Sequence, residues 1–118
     1  MAYDEPEADR PPYHEIGPDD ARKLQASGAL VVDVRQPDEW RRGHIAGAQL
    51  IPLDGIYVFG HAIVDLPHDR DVVFVCEVGQ RSGVASEIAL VAGFSPDHVH
   101  NLMGGMGLWR RQGLPMER

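Results

Sequence analysis

The sequence predicts an α/β fold with a mostly parallel central sheet of about four to five strands, flanked by helices on both faces. Two continuous apolar runs, residues 29–34 and 71–75, are typical of strands buried on both faces of a parallel sheet. Segments with helical spacing alternate with these runs along the chain, as they do in βαβ units. Since 118 residues is the size of one ordinary domain, we expect a single α/β unit.

In the first half of the chain, turn residues and apolar spacing set the bounds of the expected elements. A helix is expected over residues 18–27, because Pro18 favours a helix N-terminus and Gly28 a C-terminal cap. A very short strand fits at residues 50–52. The apolar residues of 53–66 keep roughly helical spacing, which predicts a second helix.

In the second half, a helix is expected directly after the second apolar run. It spans residues 82–92 and has Val84, Ile88 and Val91 at helical spacing, with small alanines between them. Residues 98–102 are short and partly apolar, and they fall where the alternating layout needs a further strand.

Composition and charge narrow the classes of partner. Residues 1–12 are rich in proline and acidic side chains, so we expect a flexible extension, followed by one domain over residues 13–118. A formal net charge of -7 leaves no general basic surface, so binding to nucleic acid is not expected. No apolar run approaches the roughly eighteen residues that span a bilayer, so we expect a cytoplasmic protein without a membrane partner.

The single cysteine, Cys76, stands where the second apolar run ends and a helix is about to begin. A helix N-terminus and a nearby cation such as Arg81 lower a thiol pKa and make the thiolate a nucleophile. Gly79 allows backbone angles that turn several N–H groups inward, as in an anion-binding nest. The alternative, a small buried apolar residue, is disfavoured by the glycine and arginine at these offsets. Gly104 and Gly105, after the last expected strand, should allow close backbone approach beside this loop.

Three groups of motifs resemble the rhodanese family. The segment Cys76-Glu77-Val78-Gly79-Gln80-Arg81-Ser82 resembles the rhodanese active-site loop, which a cysteine opens and an arginine closes over six residues. Residues 31–35, 39–40, 43–48 and 51–52 resemble the family's first signature. Residues 102–106, 109 and 113–115 resemble its C-terminal signature. Together the motifs span about residues 14–115 in the family's order and spacing, which implies a rhodanese-like fold.

The resemblance also implies a sulfurtransferase. In rhodaneses the thiolate takes the sulfane sulfur of a donor such as thiosulfate, becomes a persulfide, and passes the sulfur to a thiol, cyanide or a protein acceptor. Cys76 would be the nucleophile. The loop would hold the persulfide through Glu77, Val78, Gly79, Gln80 and Arg81, and the supporting residues would be Asp33 and Arg35. No cofactor and no metal are implied.

Two loop side chains leave alternatives open. Glu77 places a negative charge directly after the nucleophile, where some family members carry a basic residue. This charge either repels a doubly negative donor such as thiosulfate or points into solvent, where it is screened. Arg81 either contacts a substrate anion or ties the loop to Asp33 or another carboxylate.

Two other functions share this fold. Phosphatases and arsenate reductases that resemble rhodaneses carry the loop arginine six positions after the cysteine, whereas Arg81 is five positions after Cys76. The shorter spacing leaves less room for a tetrahedral oxyanion. A non-catalytic interaction module is the third interpretation, and the retained cysteine weighs against it.

Two further patterns have ordinary explanations. His98 and His100 share one face of an expected strand, but no third clustered ligand lies near them in the sequence, so a metal site is not expected. Tyr57 and Val58 are surplus apolar residues that mark a partner or dimer face or, as we expect, pack in the core.

Overall fold

Parallel strands form the central layer of the computed structural model, which describes residues 10–118. In chain order the elements are β1 (His14–Ile16), α1 (Pro18–Ala26), β2 (Leu30–Asp33), α2 (Pro37–Arg41), β3 (His44–Ile45), β4 (Gln49–Leu50), α3 (Ile56–Ile63), β5 (Val72–Val75), α4 (Gln80–Val91), a 3₁₀ turn (Pro96–His98), β6 (Val99–Leu102), α5 (Gly105–Arg111) and β7 (Met116–Glu117). The predicted acidic extension, residues 1–12, falls mainly on residues 1–9, which lie outside the described residues.

Five strands pair in the order β1-β6-β5-β2-β4, and every pair is parallel. β3 and β7 form a separate antiparallel pair. The predicted fold class is therefore confirmed, with β5 at the centre of the sheet. The carboxyl end of β5 is consequently flanked on both sides by other strand ends, where parallel sheets bind their ligands.

The alternation of side chains along β5 explains why helices cover both faces of the sheet. Val72 and Phe74 pack into one core layer with α3 and α4, and Val73 and Val75 pack into the other with α1 and α5. All four side chains are fully buried. A strand buried on both faces reads as a continuous apolar run, as the sequence pattern indicated.

Element bounds differ from the sequence pattern mainly at the ends. The second-half helix begins at Gln80 rather than residue 82, because Gly79 adopts a left-handed φ of 98° and ends the loop there. His98 belongs to a 3₁₀ turn, so β6 is one residue shorter than expected. The short strands β1, β3 and β7 escape the sequence patterns, because two or three residues are too few to show an alternation.

Two expectations about apolar side chains are wrong. Tyr57 and Val58 do not pack in the core, since they are 86% and 67% exposed. On α4, Ile88 is buried but Val91 is 89% exposed, because the small residues of this helix, rather than its valines, face the sheet. Within the described residues no helix is long and apolar enough to cross a membrane.

Candidate active site

Cys76 follows β5 directly, and its side chain is fully buried at the N-terminal end of α4. The Sγ atom accepts hydrogen bonds from the backbone N–H of Gly79 at 3.1 Å and of Ser82 at 3.3 Å. The Ser82 hydroxyl lies 3.3 Å from the same sulfur. The first turn of a twelve-residue helix therefore surrounds the thiol with donors that favour negative charge.

These contacts change the acidity of the thiol. Burial raises the pKa of Cys76, but hydrogen bonds from the Ser82 hydroxyl and from the N–H groups of Ser82, Val78 and Gly79 outweigh it and bring the pKa below its ordinary value. A buried thiol without such donors would shift in the opposite direction. The donors therefore favour the thiolate form of Cys76, which burial alone would disfavour.

A buried polar chain holds the donors in place. The Ser82 hydroxyl lies 2.5 Å from Asn101 Oδ1 as well as 3.3 Å from Cys76 Sγ, and its single proton is donated to one of these two acceptors at a time. Asn101 Nδ2 donates to the Gly79 carbonyl at 3.1 Å. Asn101 belongs to β6, the strand next to β5, and its side chain bonds to both Gly79 and Ser82 of the loop. Sequence reasoning missed Ser82 and Asn101 as functional residues. Ser82 stands next to Arg81 in the loop motif, whereas no local signal marks Asn101.

The loop carbonyls are held from the opposite side by α5. The backbone N–H of Met106 donates to the Cys76 carbonyl at 2.8 Å, and that of Gly107 to the Glu77 carbonyl at 3.0 Å. Gly105 has a φ of 52°, and a Cβ atom there would lie 2.4 Å from the Cys76 carbonyl oxygen. Only glycine permits this approach, as the sequence analysis expected.

Arg81 forms two hydrogen bonds with a carboxylate, but not with Asp33. Its guanidinium donates to both oxygens of Glu39, at 2.7 and 2.8 Å. This bidentate pair lowers the pKa of Glu39 to about 2 and raises the pKa of Arg81. Of the two roles considered for Arg81, the structure therefore shows the tie to a carboxylate, which joins the loop to α2.

Asp33 and Arg35 form a pair beneath the loop. Both are almost completely buried, and Arg35 donates to both Asp33 oxygens at 2.9 to 3.1 Å and to the Gly43 carbonyl at 2.8 Å. Arg35 Nη1 also lies 3.5 Å from Glu77 Oε1. The two predicted supporting residues thus lie together, and Arg35 extends from the buried pair to the loop.

Glu77 is neither an unpaired negative charge nor a fully solvated one. Its carboxylate receives two hydrogen bonds from Arg110 of α5, at 2.6 and 2.9 Å. This contact lowers the pKa of Glu77, with a smaller contribution from the charge of Arg35. Because Arg110 pairs with it directly, Glu77 adds little net repulsion toward an incoming anion.

The remaining predicted loop residues contribute through the backbone. Val78 is 65% exposed and Gln80 is exposed, so neither side chain faces the sulfur. His98 and His100 both contact Asp71, at 3.2 and 3.0 Å, at the opposite end of β5 from Cys76. Across residues 10–118 no group of three or more His, Cys, Asp or Glu side chains is arranged to hold a metal ion.

Comparison with known proteins identifies the family. The model of the rhodanese-like domain matches residues 17–112, which is most of the chain. The protein belongs to the rhodanese-like domain family. The resemblance in the sequence motifs is thereby confirmed, and the Cys76 loop lies within the matched range.

The relatives include full-length and partial matches. A thiosulfate sulfurtransferase GlpE from Pseudomonas aeruginosa is 39% identical over 98 residues, which cover 83% of this chain and 84% of the relative. A probable adenylyltransferase/sulfurtransferase MoeZ from Mycobacterium tuberculosis is 43% identical over 97 residues. These cover 82% of this chain but 23% of the relative, so the chain spans about a quarter of that protein. Sulfur transfer is accordingly supported at the level of the family.

Solved structures agree on the fold. A rhodanese-related protein from Thermoplasma volcanium superposes with a TM-score of 0.75 at 28% identity, covering 89% of this chain and 98% of that one. A protein of unknown function from Rhodopseudomonas palustris, described as a possible tyrosine phosphatase, has a TM-score of 0.73 at 30% identity. That match covers 89% of this chain and 85% of the other.

Proposed function

We propose that the protein is a sulfurtransferase that carries a sulfane sulfur as a persulfide on Cys76. The observation that carries the proposal is the convergence of the Gly79 and Ser82 N–H groups and the Ser82 hydroxyl on one buried sulfur atom. Donors in this arrangement stabilise an anionic sulfur, as an oxyanion hole stabilises developing charge.

In the first half-reaction the Cys76 thiolate attacks the outer sulfur of a donor such as thiosulfate. A new sulfur–sulfur bond forms to Sγ, the sulfur–sulfur bond of the donor breaks, and sulfite leaves with the bonding electron pair. The product is a cysteine persulfide whose terminal sulfur is anionic. This terminal sulfur is bonded to Sγ, on which the Gly79 and Ser82 N–H groups converge, so its negative charge lies next to these donors.

In the second half-reaction an acceptor attacks the terminal sulfur of the persulfide. Cyanide leaves as thiocyanate and a thiolate leaves as a new persulfide, while Cys76 departs as the thiolate that the loop stabilises. The cycle uses no cofactor, since both steps are nucleophilic displacements at sulfur. A low-molecular-weight thiol or a protein thiol therefore serves as acceptor by the same chemistry.

The charges at the loop suit a small anionic donor. Glu77 is paired with Arg110, so the repulsion that its position suggests is largely cancelled. Relatives named thiosulfate sulfurtransferase support thiosulfate as that donor. We propose the cytoplasm as the location, where a lone cysteine stays reduced, and small sulfur compounds or a protein thiol as partners rather than nucleic acid or membrane.

Phosphate-ester or arsenate chemistry finds less support in this loop. Arg81 is five positions after Cys76, and its guanidinium is held by Glu39 rather than turned toward the sulfur. An enzyme that binds a tetrahedral oxyanion needs hydrogen-bond donors, such as a guanidinium, that face the bound anion across a wider loop.

Mass spectrometry of the intact protein tests the proposal. After incubation with thiosulfate, we expect the mass to rise by one sulfur atom, and to return to its starting value with cyanide or dithiothreitol. The Cys76→Ser variant keeps the size of the side chain and should show no addition. An unmodified protein across a panel of sulfur donors, or hydrolysis of p-nitrophenyl phosphate in place of sulfur uptake, would contradict sulfur transfer.

A further inference from the structure

An apolar groove runs along the outer surface between α3 and α4. It has a volume of about 590 Å³, and we call it the α3–α4 groove. Its borders carry the exposed apolar side chains Ile56, Tyr57, Val64, Val84 and Val91. The exposed fractions of these side chains range from 41% to 89%. Such a contiguous apolar patch is typical of an interaction surface rather than of ordinary solvent-facing helices.

We propose that the α3–α4 groove binds a second copy of this chain, forming a two-fold symmetric dimer. The proposal does not rest on the sulfur chemistry, because the hydrogen bonds to Cys76 come from Gly79 and Ser82, neither of which lines the groove. α4 nevertheless connects the two features, since its first turn surrounds the thiol and its later turns border the groove.

The apolar area of the groove agrees with the needs of a small dimer. Covering its five exposed side chains removes on the order of 400 Å² of apolar surface per copy, as judged from the areas that such side chains bury. A stable interface removes at least about 600 Å² per partner, of which about 65% is apolar in homodimers. The groove therefore supplies the apolar share of an interface at the lower end of this range.

Charge at the groove is complementary to itself. Besides Tyr57, the titratable side chains that line it are His61 on α3 and Glu87 on α4, one basic and one acidic, and both are exposed. In a two-fold interface each contact occurs twice with the partners exchanged, so a dimer that places His61 of one copy against Glu87 of the other forms this pair twice. An imidazole N–H donates to a carboxylate in either protonation state. In this arrangement each copy covers the groove of the other, and no two like charges are brought into contact.

Sedimentation velocity of the full chain over a range of concentrations tests this assignment. We expect a reversible dimer of twice the 13.0 kDa chain mass, with a dissociation constant in the micromolar range. Tyr57→Glu should raise that constant by about 30-fold or more, as for the loss of a central aromatic anchor. Because Tyr57 is 86% exposed, its substitution leaves the folded core intact.

Val58→Glu is the matched control, since Val58 is the next residue of α3 and 67% exposed but does not line the groove. This variant should dimerise like the parent protein. His61→Glu should weaken the dimer by about 10-fold through repulsion from Glu87, and the double variant His61→Glu with Glu87→Lys should restore it. A parent chain that stays monomeric, or a dimer lost with Val58→Glu but not with Tyr57→Glu, would overturn the proposal.

Discussion

The two faces of α4 have opposite chemistry. On the inner face the side chains of Ser82 and Ser86 are fully buried, whereas on the outer face Val84 is 43% and Val91 89% exposed. A helix on the surface of a domain ordinarily buries its apolar stripe and exposes its polar one. The buried serines and the exposed valines depart from this pattern, whereas Ala85, Ile88 and Ala89 are buried and follow it. The departures agree with the proposed anionic sulfur at the inner face and the proposed partner at the outer face.

The inner face is stable because its polar groups are satisfied. Ser82 is bonded to Asn101, and the Ser86 hydroxyl donates to the Ser82 carbonyl at 2.8 Å. Buried hydroxyls that keep a partner cost little, whereas an unsatisfied one costs about 1–3 kcal/mol. The small size of these serines also lets α4 approach the sheet closely enough to place its first turn over Cys76.

Removing the Ser82 hydroxyl tests whether the inner face serves the thiol. Ser82→Ala should lower kcat/KM for sulfur transfer by about 10²-fold, the usual cost of losing one donor to developing charge. Ser86→Ala is the matched control, because Ser86 is equally buried on the same helix but its hydroxyl donates to the Ser82 carbonyl rather than bonding to the sulfur. Equal losses of kcat/KM in the two variants, each measured with thiosulfate and cyanide, would refute a specific role for Ser82.

Disrupting the ion pair between Glu77 and Arg110 should lower kcat/KM less than removing the Ser82 hydroxyl does. Arg110→Ala leaves the negative charge of Glu77 facing the incoming donor, so kcat/KM for thiosulfate should fall about 5-fold to 10-fold, as for about 1 kcal/mol. The double variant Arg110→Ala with Glu77→Gln should recover most of the loss, because it removes the repelling charge. Steady-state kinetics in which the double variant is no better than Arg110→Ala would show that Arg110 acts in another way.

Glu39 of α2 holds Arg81, which lies in the first turn of α4. Its folded pKa of about 2 is below the unfolded value of 4.5, so it stabilises the fold above about pH 4.5 and less as the pH falls toward 2. Because Arg81 is 39% exposed, solvent screening reduces the contribution to about 1 kcal/mol. Urea denaturation of Glu39→Gln should show this loss at pH 7 and a smaller one near pH 3; a loss that grows on acidification would contradict the linkage.

A polar substitution on the outer face of α4 should have the smallest effect on stability and activity. Val84→Thr keeps the shape of the side chain at a 43% exposed position, so the free energy of unfolding should change by no more than about 0.5 kcal/mol. Sulfur transfer should be unchanged, since the donors to the thiol are Gly79 and Ser82 and the Val84 side chain faces outward. A large loss of activity, measured beside the Ser82→Ala assay, would mean that the two faces are not functionally separate.

Sequence patterns predict the parts of the molecule whose cause is local. β2 and β5 are visible because they are continuous apolar runs, and the Cys76 loop because the cysteine, glycine and arginine lie within six residues. The buried face of α4 was harder to predict, because its alanines and serines carry no strong hydrophobic signal. The exposed valines, in contrast, have the helical spacing that is typical of buried residues. The wrong expectation for Tyr57 and Val58 has the same origin, since sequence alone does not distinguish a buried apolar face from an exposed one.

The contacts that tune the site are distant in sequence. Glu39 is 42 residues from Arg81, Glu77 is 33 residues from Arg110, and Ser82 is 19 residues from Asn101. Each pair forms only because the parallel sheet brings the ends of its strands and the following helices to one edge. Charged residue types alone did not indicate which acid would neutralise which arginine.

The pKa of Cys76 is the property that most directly distinguishes a built thiolate site from a buried cysteine. It can be measured by following the rate of alkylation of the intact protein against pH. The hydrogen bonds from Ser82, Val78 and Gly79 predict that the midpoint lies below that of the same protein unfolded in denaturant, and that it moves upward in Ser82→Ala. A midpoint in the folded parent protein that is no lower than in the unfolded chain, and that does not move in the variant, would contradict the claim that α4 activates Cys76.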